Sequence, residues 1–80
     1  MKLPRYLSGA DLTKALQNLG YLVTRQKSSH IRMTTQQAGQ HHVTIPDHDP
    51  IKVGILAVIL KDVADHFDLQ RDQLLDRLFD

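Results

Sequence analysis

Four residues of this 80-residue chain could act together on an anionic substrate: His30 and three cations within five positions of it. The cations are Arg25, Lys27 and Arg32, and no carboxylate accompanies them. This combination suits the attack of an RNA 2′-hydroxyl on its own phosphate, because His30 would move protons while a neighbouring cation stabilises the phosphorane charge. The alternative is an exposed strand histidine without a catalytic role.

A metal site is a weaker interpretation of the other histidines. His41, His42, Asp47, His48 and Asp49 lie close together in the sequence. His41 and His42 are neighbours in a predicted strand, however, so their side chains point to opposite faces and at most one of them can join His48. A two-metal nuclease also needs clustered acidic residues. We therefore expect ordinary surface histidines, no metal and no other cofactor.

Ser28 and Ser29 are interpreted as turn residues rather than nucleophiles, because serine hydroxyls satisfy backbone groups in loops. A Ser-His-Asp arrangement also lacks an orienting acid nearby in the sequence, although folding could bring Asp47 or Asp49 to it. Gly54 precedes an apolar segment without a glycine-rich fingerprint. It is therefore interpreted as a helix-start glycine and not as part of a phosphate-binding loop.

Charge is distributed unevenly along the chain. The formal net charge is +1, but residues 1–46 carry six cations against Asp11 alone, which gives +5, and residues 47–80 carry four cations against eight aspartates, which gives −4. Blocks of one sign often mark a partner surface, so the near-neutral total does not exclude RNA and the basic part is where RNA would bind. Chance clustering on a solvated surface is the alternative. The acidic segment 62–80 is either a solubilising helix or a surface that repels RNA or receives a protein partner.

The first element that must position these residues is a helix. Ser8 is typical of an N-cap, and Asp11 lies at the third helical position, where a carboxylate interacts favourably with free amides. Apolar residues follow at helical spacing until Gly20, which can adopt the left-handed conformation that ends a helix. The pattern predicts a helix over residues 9–19 with an apolar stripe made by Leu12, Ala15, Leu16 and Leu19.

Three short strands are predicted next. Residues 21–25 and 30–34 are joined by a polar turn at residues 26–29, and residues 41–45 form a third strand closed by Pro46. The expected product is a three-stranded antiparallel meander. Alternation directs one set of side chains to the core (Ile31, Met33, Val43, Ile45) and the other set outward (His30, Arg32, His42, Thr44).

Two further helices complete the predicted fold. The apolar segment from residue 53 continues as Lys61-Asp62 and Ala64-Asp65, and this length favours a helix over a strand. Asp68 is expected to cap a last helix whose apolar stripe is Leu74, Leu75, Leu78 and Phe79. Since a sheet with one apolar face needs a cover, we expect an α+β fold of order α-β-β-β-α-α with the helices on one face.

Composition limits the class of protein. Eighty residues with 41% hydrophobic content are enough for one domain, residues 1–80, and not for two. The absence of cysteine excludes disulfides and thiolate zinc sites and is compatible with a reducing cytoplasm, where we expect the protein to act. The longest apolar run has six residues, too few for a membrane span, and residues 1–10 do not resemble a signal peptide.

The chain resembles the HicA-type toxins of bacterial toxin-antitoxin systems over nearly its whole length. The order, spacing and total length of several short motifs carry the resemblance. These are Ser8-Gly-Ala-Asp-Leu12, Leu16-Gln-Asn-Leu-Gly-Tyr21, Arg25-Gln-Lys-Ser-Ser-His30, Val43-Thr-Ile-Pro46, His48, Val53-Gly54 and Ile59-Leu60. The family signature is a Gly-Ser-His turn, so Ser29 and His30 match it and Ser28 does not.

The resemblance implies a fold like that of a double-stranded-RNA-binding domain and the activity of a ribosome-independent mRNA interferase. It implies that His30 is the key catalytic residue, that no metal is needed, and that a HicB-type antitoxin neutralises the toxin. Around His30, the residues assigned to RNA binding are Arg25, Lys27, Ser28, Ser29 and Arg32.

The departure at Ser28 leaves a second hypothesis open. Glycine at this position allows positive φ or the close approach of a phosphate, and serine hinders both. A non-catalytic RNA-binding module of the same fold is therefore the alternative, gripping the RNA backbone and 2′-hydroxyls through Arg32, His42 and Thr44. A third possibility is an interaction protein that binds a partner through its apolar helices.

Overall fold

The computed structural model describes Pro4 and residues 6–79. The described residues exclude three contributors to the charge blocks, Lys2, Arg5 and Asp80. They also exclude residues 1–3 of the segment 1–10, for which no signal peptide is predicted. The elements are α1 (Gly9–Leu16) continued by a 3₁₀ turn (Gln17–Leu19), β1 (Leu22–Lys27), β2 (His30–Thr35), β3 (His41–Pro46), α2 (Val53–Phe67) and α3 (Arg71–Phe79). The predicted α-β-β-β-α-α order is confirmed.

Helix α1 begins and ends as its sequence predicts. The Ser8 hydroxyl accepts a hydrogen bond from the Asp11 backbone N–H at 3.0 Å, and the Asp11 carboxylate accepts one from the Ser8 N–H at 3.3 Å. Gly20, at φ 82°, ends the 3₁₀ turn. A Cβ at Gly9 would collide with the Pro46 carbonyl oxygen, so the start of α1 packs directly on the end of β3.

The strands form one antiparallel sheet in the order β1-β2-β3. Ile31 pairs with Ile45 and Met33 with Val43, and all four side chains are buried. The outward set is exposed as predicted: His30, Arg32, His42 and Thr44. The sheet therefore has a covered face, called here the inner face, and an open face, called the outer face.

Helices α1 and α2 pack on the inner face and α3 packs against them, and the predicted α+β class is confirmed. One apolar cluster joins the sheet to helical side chains that include Leu12 and Leu16 of α1, Leu56, Leu60 and Val63 of α2, and Leu74, Leu75 and Leu78 of α3. Strand β1 differs from its neighbours because all six of its residues are exposed. It is an edge strand that the helices leave uncovered. Within the described residues, no helix has the length and apolar character to cross a membrane.

Two local predictions are wrong. The turn expected at residues 26–29 contains only Ser28 and Ser29, because β1 continues to Lys27, which pairs with His30. Asp68 does not cap the last helix; it ends α2 at φ 54°, and its N–H donates to carbonyl oxygens of the preceding turn. Aspartate tolerates the left-handed conformation and is also a common N-cap, so it occurs at either end of a helix. The sequence position of Asp68 between two helices therefore does not show whether it ends α2 or begins α3.

Candidate nucleic-acid interface

The β1-β2 hairpin brings His30 and the three predicted cations onto the outer face. Lys27 pairs with His30, and Arg25 pairs with Arg32. Residues directly opposite in an antiparallel ladder share a face, and these four are all exposed. We call this group the cationic hairpin.

A β-bulge at Thr24, which the strand pattern of the sequence does not predict, is responsible for the position of Arg25. Val23 pairs with the inner-face residue Met33, so strict alternation would place Arg25 on the inner face as well. The register instead shifts between Val23 and Arg25, and Thr24 becomes an extra residue. Hydrogen bonds hold the bulge, since Thr24 Oγ1 lies 3.4 Å from the Arg32 carbonyl oxygen and 3.1 Å from Thr34 Oγ1. No glycine in β1 signals the bulge.

The cationic hairpin carries unbalanced positive charge. Arg25 and Arg32 face one another as a like-charge pair, which destabilises a sheet. Among the described residues, Asp62 bonds to His41 and Asp65 pairs with Lys61, so these contacts leave the hairpin cations uncompensated. An anion bound across β1 and β2 would relieve this repulsion.

The turn beside His30 has the backbone shape that the family glycine would favour. Ser28 has φ 54°, in the left-handed region, although it is not glycine. The favoured two-residue hairpin loops need positive φ at their first central residue, a conformation that glycine adopts without steric cost and that Ser28 supplies here. The Ser29 carbonyl oxygen accepts a hydrogen bond from the Asp47 N–H at 2.6 Å, which ties the turn to the end of β3.

Asp47 and Asp49 do not join His30. Asp47 borders a shallow depression on the helix side of β1, together with Lys14, Gln26 and Ile31. Asp49 is exposed in the segment after β3. Within the described part of the chain, the His30 side chain has no hydrogen-bond or ion-pair partner, so both of its ring nitrogens face solvent and can meet a substrate.

His41 and His42 lie on opposite faces, as predicted. His41 contacts Asp62, whereas His42 Nδ1 lies 2.7 Å from Thr34 Oγ1 on the outer face. His48 is exposed. Over Pro4 and residues 6–79, no group of three or more histidine and acidic side chains has metal-binding geometry.

A polar cluster between the sheet and α2, which we call the histidine stack, was not predicted from the sequence. The Tyr21 hydroxyl lies 2.7 Å from His41 Nδ1, and His41 Nε2 lies 3.2 Å from Asp62 Oδ1. The rings of His41 and His66 stack with centroids 4.4 Å apart. His66 Nε2 donates to two carbonyl oxygens of the β2-β3 loop, at 3.0 and 3.1 Å. The cluster ties β3 and this loop to α2.

A protonated phenol and an acceptor-only carboxylate set the direction of the hydrogen bonds to His41. Burial, and to a smaller extent the charge of Asp62, raises the pKa of Tyr21 above its usual range. The phenol therefore keeps its proton. The Asp62 carboxylate can only accept, so His41 Nε2–H donates to it, and in the tautomer protonated at Nε2 the His41 Nδ1 atom accepts from the Tyr21 hydroxyl. Both ring nitrogens of His41 are bonded internally and are not free to bind a ligand.

Comparison with known proteins gives one match. The family described as "HicA toxin of bacterial toxin-antitoxin" matches residues 9–64, from the start of α1 into the last turn of α2, and this range includes the whole cationic hairpin. No curated protein and no solved structure matches the chain significantly.

Proposed function

Because the chain belongs to the HicA family of toxins from bacterial toxin-antitoxin systems, we propose that it is a metal-independent endoribonuclease that cleaves mRNA without the ribosome. The observation that carries the proposal is the cationic hairpin: an exposed histidine whose ring nitrogens have no partner among the described residues, beside three cations. A polyanion is the ligand that such a surface attracts. The mRNA substrate places the proposed site of action in the cytoplasm.

The proposed reaction uses the 2′-hydroxyl of RNA as the nucleophile. The 2′-oxygen attacks the adjacent phosphorus, a cyclic phosphate forms, and the bond from phosphorus to the 5′-oxygen of the next nucleotide breaks. His30 removes the proton from the 2′-hydroxyl or supplies one to the leaving 5′-oxygen. Lys27 lies directly opposite His30 in the ladder and is the nearest cation along the strands to stabilise the phosphorane.

The other hairpin residues hold the strand of RNA. Arg25 and Arg32 lie one pair further from the turn, and each can contact a phosphate oxygen. Ser28 and Ser29 form the turn and bring its backbone close to the RNA. The left-handed conformation of Ser28 means that the turn keeps the shape expected with glycine, which favours retained cleavage over the non-catalytic alternative.

The proposed protein partner is a HicB-type antitoxin. A toxin requires an antitoxin that blocks it, and a carboxylate-bearing surface laid over the cationic hairpin would exclude RNA and remove the repulsion between Arg25 and Arg32. The open outer face leaves room for such a partner.

Incubation of the purified protein with labelled RNA tests the proposal. We expect the wild-type protein to cleave RNA equally with and without EDTA, and the His30→Ala variant to lose about 10²–10⁴-fold in rate. The variant should bind RNA and unfold at the same temperature as the wild type, because the His30 side chain has no partner in the described structure. Undiminished cleavage by the variant would refute the role of His30. Salt-dependent binding by a wild-type protein that never cleaves RNA would favour the non-catalytic module.

A further inference from the structure

We infer that the end of the outer face farthest from the turn is a second RNA subsite, which binds a nucleotide away from the cleaved bond through His42. This inference rests on the proposed function and assigns part of its substrate contact. The two histidine positions of the outer face are separated along the sheet: His30 pairs with Pro46, and His42 pairs with Thr34.

The separation excludes a paired acid and base at one phosphate. Four residues along a strand, from His30 to Thr34, span about 13 Å at the usual rise of about 3.3 Å per residue. Arg32 and Thr44 lie between the two positions. His42 therefore meets a different nucleotide from the one that His30 cleaves.

A chain of hydroxyls orients the His42 ring. One proton arrangement makes all three observed contacts: Thr24 donates to the Arg32 carbonyl oxygen, Thr34 donates to Thr24, and His42 Nδ1–H donates to Thr34 at 2.7 Å. The Nε2 atom then has no partner among the described residues and faces solvent. Thr34 is only 8% exposed, so a nearly buried hydroxyl holds an exposed imidazole in place.

A shallow depression adjoins this ring. Leu22, Thr24, Thr34, Gln36 and Gln37 are among the residues that line it, and its volume is about 390 Å³. Leu22 is 65% exposed and pairs with Thr34, so a row across the sheet presents an apolar side chain, a hydroxyl and an imidazole. An unpaired nucleotide matches this row, because its sugar and base offer apolar surface and its base edge offers hydrogen-bond groups to glutamine amides. Its 2′-hydroxyl can donate to the free Nε2 of His42.

Substrate length provides the test. A dinucleotide reaches His30 but not the second subsite, whereas a longer unstructured oligonucleotide spans the outer face. We expect His42→Ala to raise KM for the longer RNA about tenfold, the loss of one hydrogen bond. The value of kcat for the longer RNA and both constants for the dinucleotide should stay unchanged. Thr34→Val should give a smaller rise in KM, since it frees the ring without removing it.

His48→Ala is the matched control, because His48 is also an exposed histidine but lies beyond β3. It should leave KM and kcat unchanged for both substrates. An equal rise in KM for both substrates in His42→Ala, or no rise for the longer RNA, would overturn the subsite. Binding of the longer RNA to His30→Ala and to His30→Ala/His42→Ala separates this inference from catalysis. Equal affinity would refute the subsite while the proposed function stands, and a wild type that neither binds nor cleaves RNA would refute both.

Discussion

The cationic hairpin and the histidine stack contain the same residue type in opposite situations. His30 is exposed, and its ring nitrogens have no partner within the described residues. His41 uses one ring nitrogen for the Tyr21 hydroxyl and the other for Asp62, and it stacks on His66. Hydrogen-bond capacity that is satisfied internally stabilises the fold, whereas capacity left at the surface is available to a ligand. The bonding of each ring, rather than the number of histidines, therefore separates structural from functional positions.

Truncation of the neighbouring residues His41 and His42 is the most stringent test of this comparison. We expect His41→Ala to lower the free energy of unfolding by about 2 kcal/mol, because it leaves the buried Tyr21 hydroxyl without an acceptor and removes the stack on His66. His42→Ala, one residue away but on the outer face, should change it by less than about 0.5 kcal/mol, because its ring is exposed and the Thr34 hydroxyl keeps its hydrogen bond to Thr24. Urea unfolding of both variants measures the difference. Equal destabilisation would mean that internal bonding does not distinguish the two faces.

Tyr21→Phe tests the hydrogen bond between Tyr21 and His41 from the tyrosine side. It removes the phenol hydroxyl and leaves His41 Nδ1 without its donor, but the His41 side chain is 18% exposed and can recruit water. The free energy of unfolding should therefore fall by less than about 1 kcal/mol, a smaller loss than for His41→Ala.

A smaller effect is expected from the like-charge pair of the cationic hairpin. Arg25→Ala removes the repulsion with Arg32 and should raise the free energy of unfolding by about 0.3 kcal/mol. The same change should weaken RNA binding and reduce the slope of log affinity against log salt by about 1. Salt titrations of binding and urea unfolding measure the two effects. Arg71→Ala, at an exposed cation of α3, is the control and should change neither the salt dependence of binding nor the free energy of unfolding. A lower free energy of unfolding in Arg25→Ala would contradict the proposal that this charge serves a ligand.

How far the sequence predicts the molecule depends on the range of the interactions. The capping box of α1, the left-handed Gly20 and the in-out alternation of β2 and β3 are local, and the sequence predicts them correctly. The family resemblance, carried by motif order, is confirmed over residues 9–64. The bulge at Thr24 depends on a register between strands, and the histidine stack joins residues that are 20 or more positions apart, such as Tyr21 and His41. Neither leaves a local pattern to be recognised.

Ser28 provides the last test of the contrast between a functional hairpin and a structural stack, with an expected effect on stability of the same small size as that of the like-charge pair. A left-handed φ such as the 54° of Ser28 destabilises the folded state by about 1 kcal/mol for a non-glycine residue. Glycine removes this strain but also raises the entropy of the unfolded state, which offsets part of the stabilisation. Ser28→Gly should therefore raise the free energy of unfolding by about 0.5 kcal/mol net. Ser29→Gly, at a neighbour without positive φ, should lower it by a similar amount, and Ser28→Ala should not raise it. If Ser28→Gly accelerates RNA cleavage without changing affinity, the serine limits how the turn positions the scissile phosphate; an unchanged rate would mean that the turn already has the catalytic shape with serine.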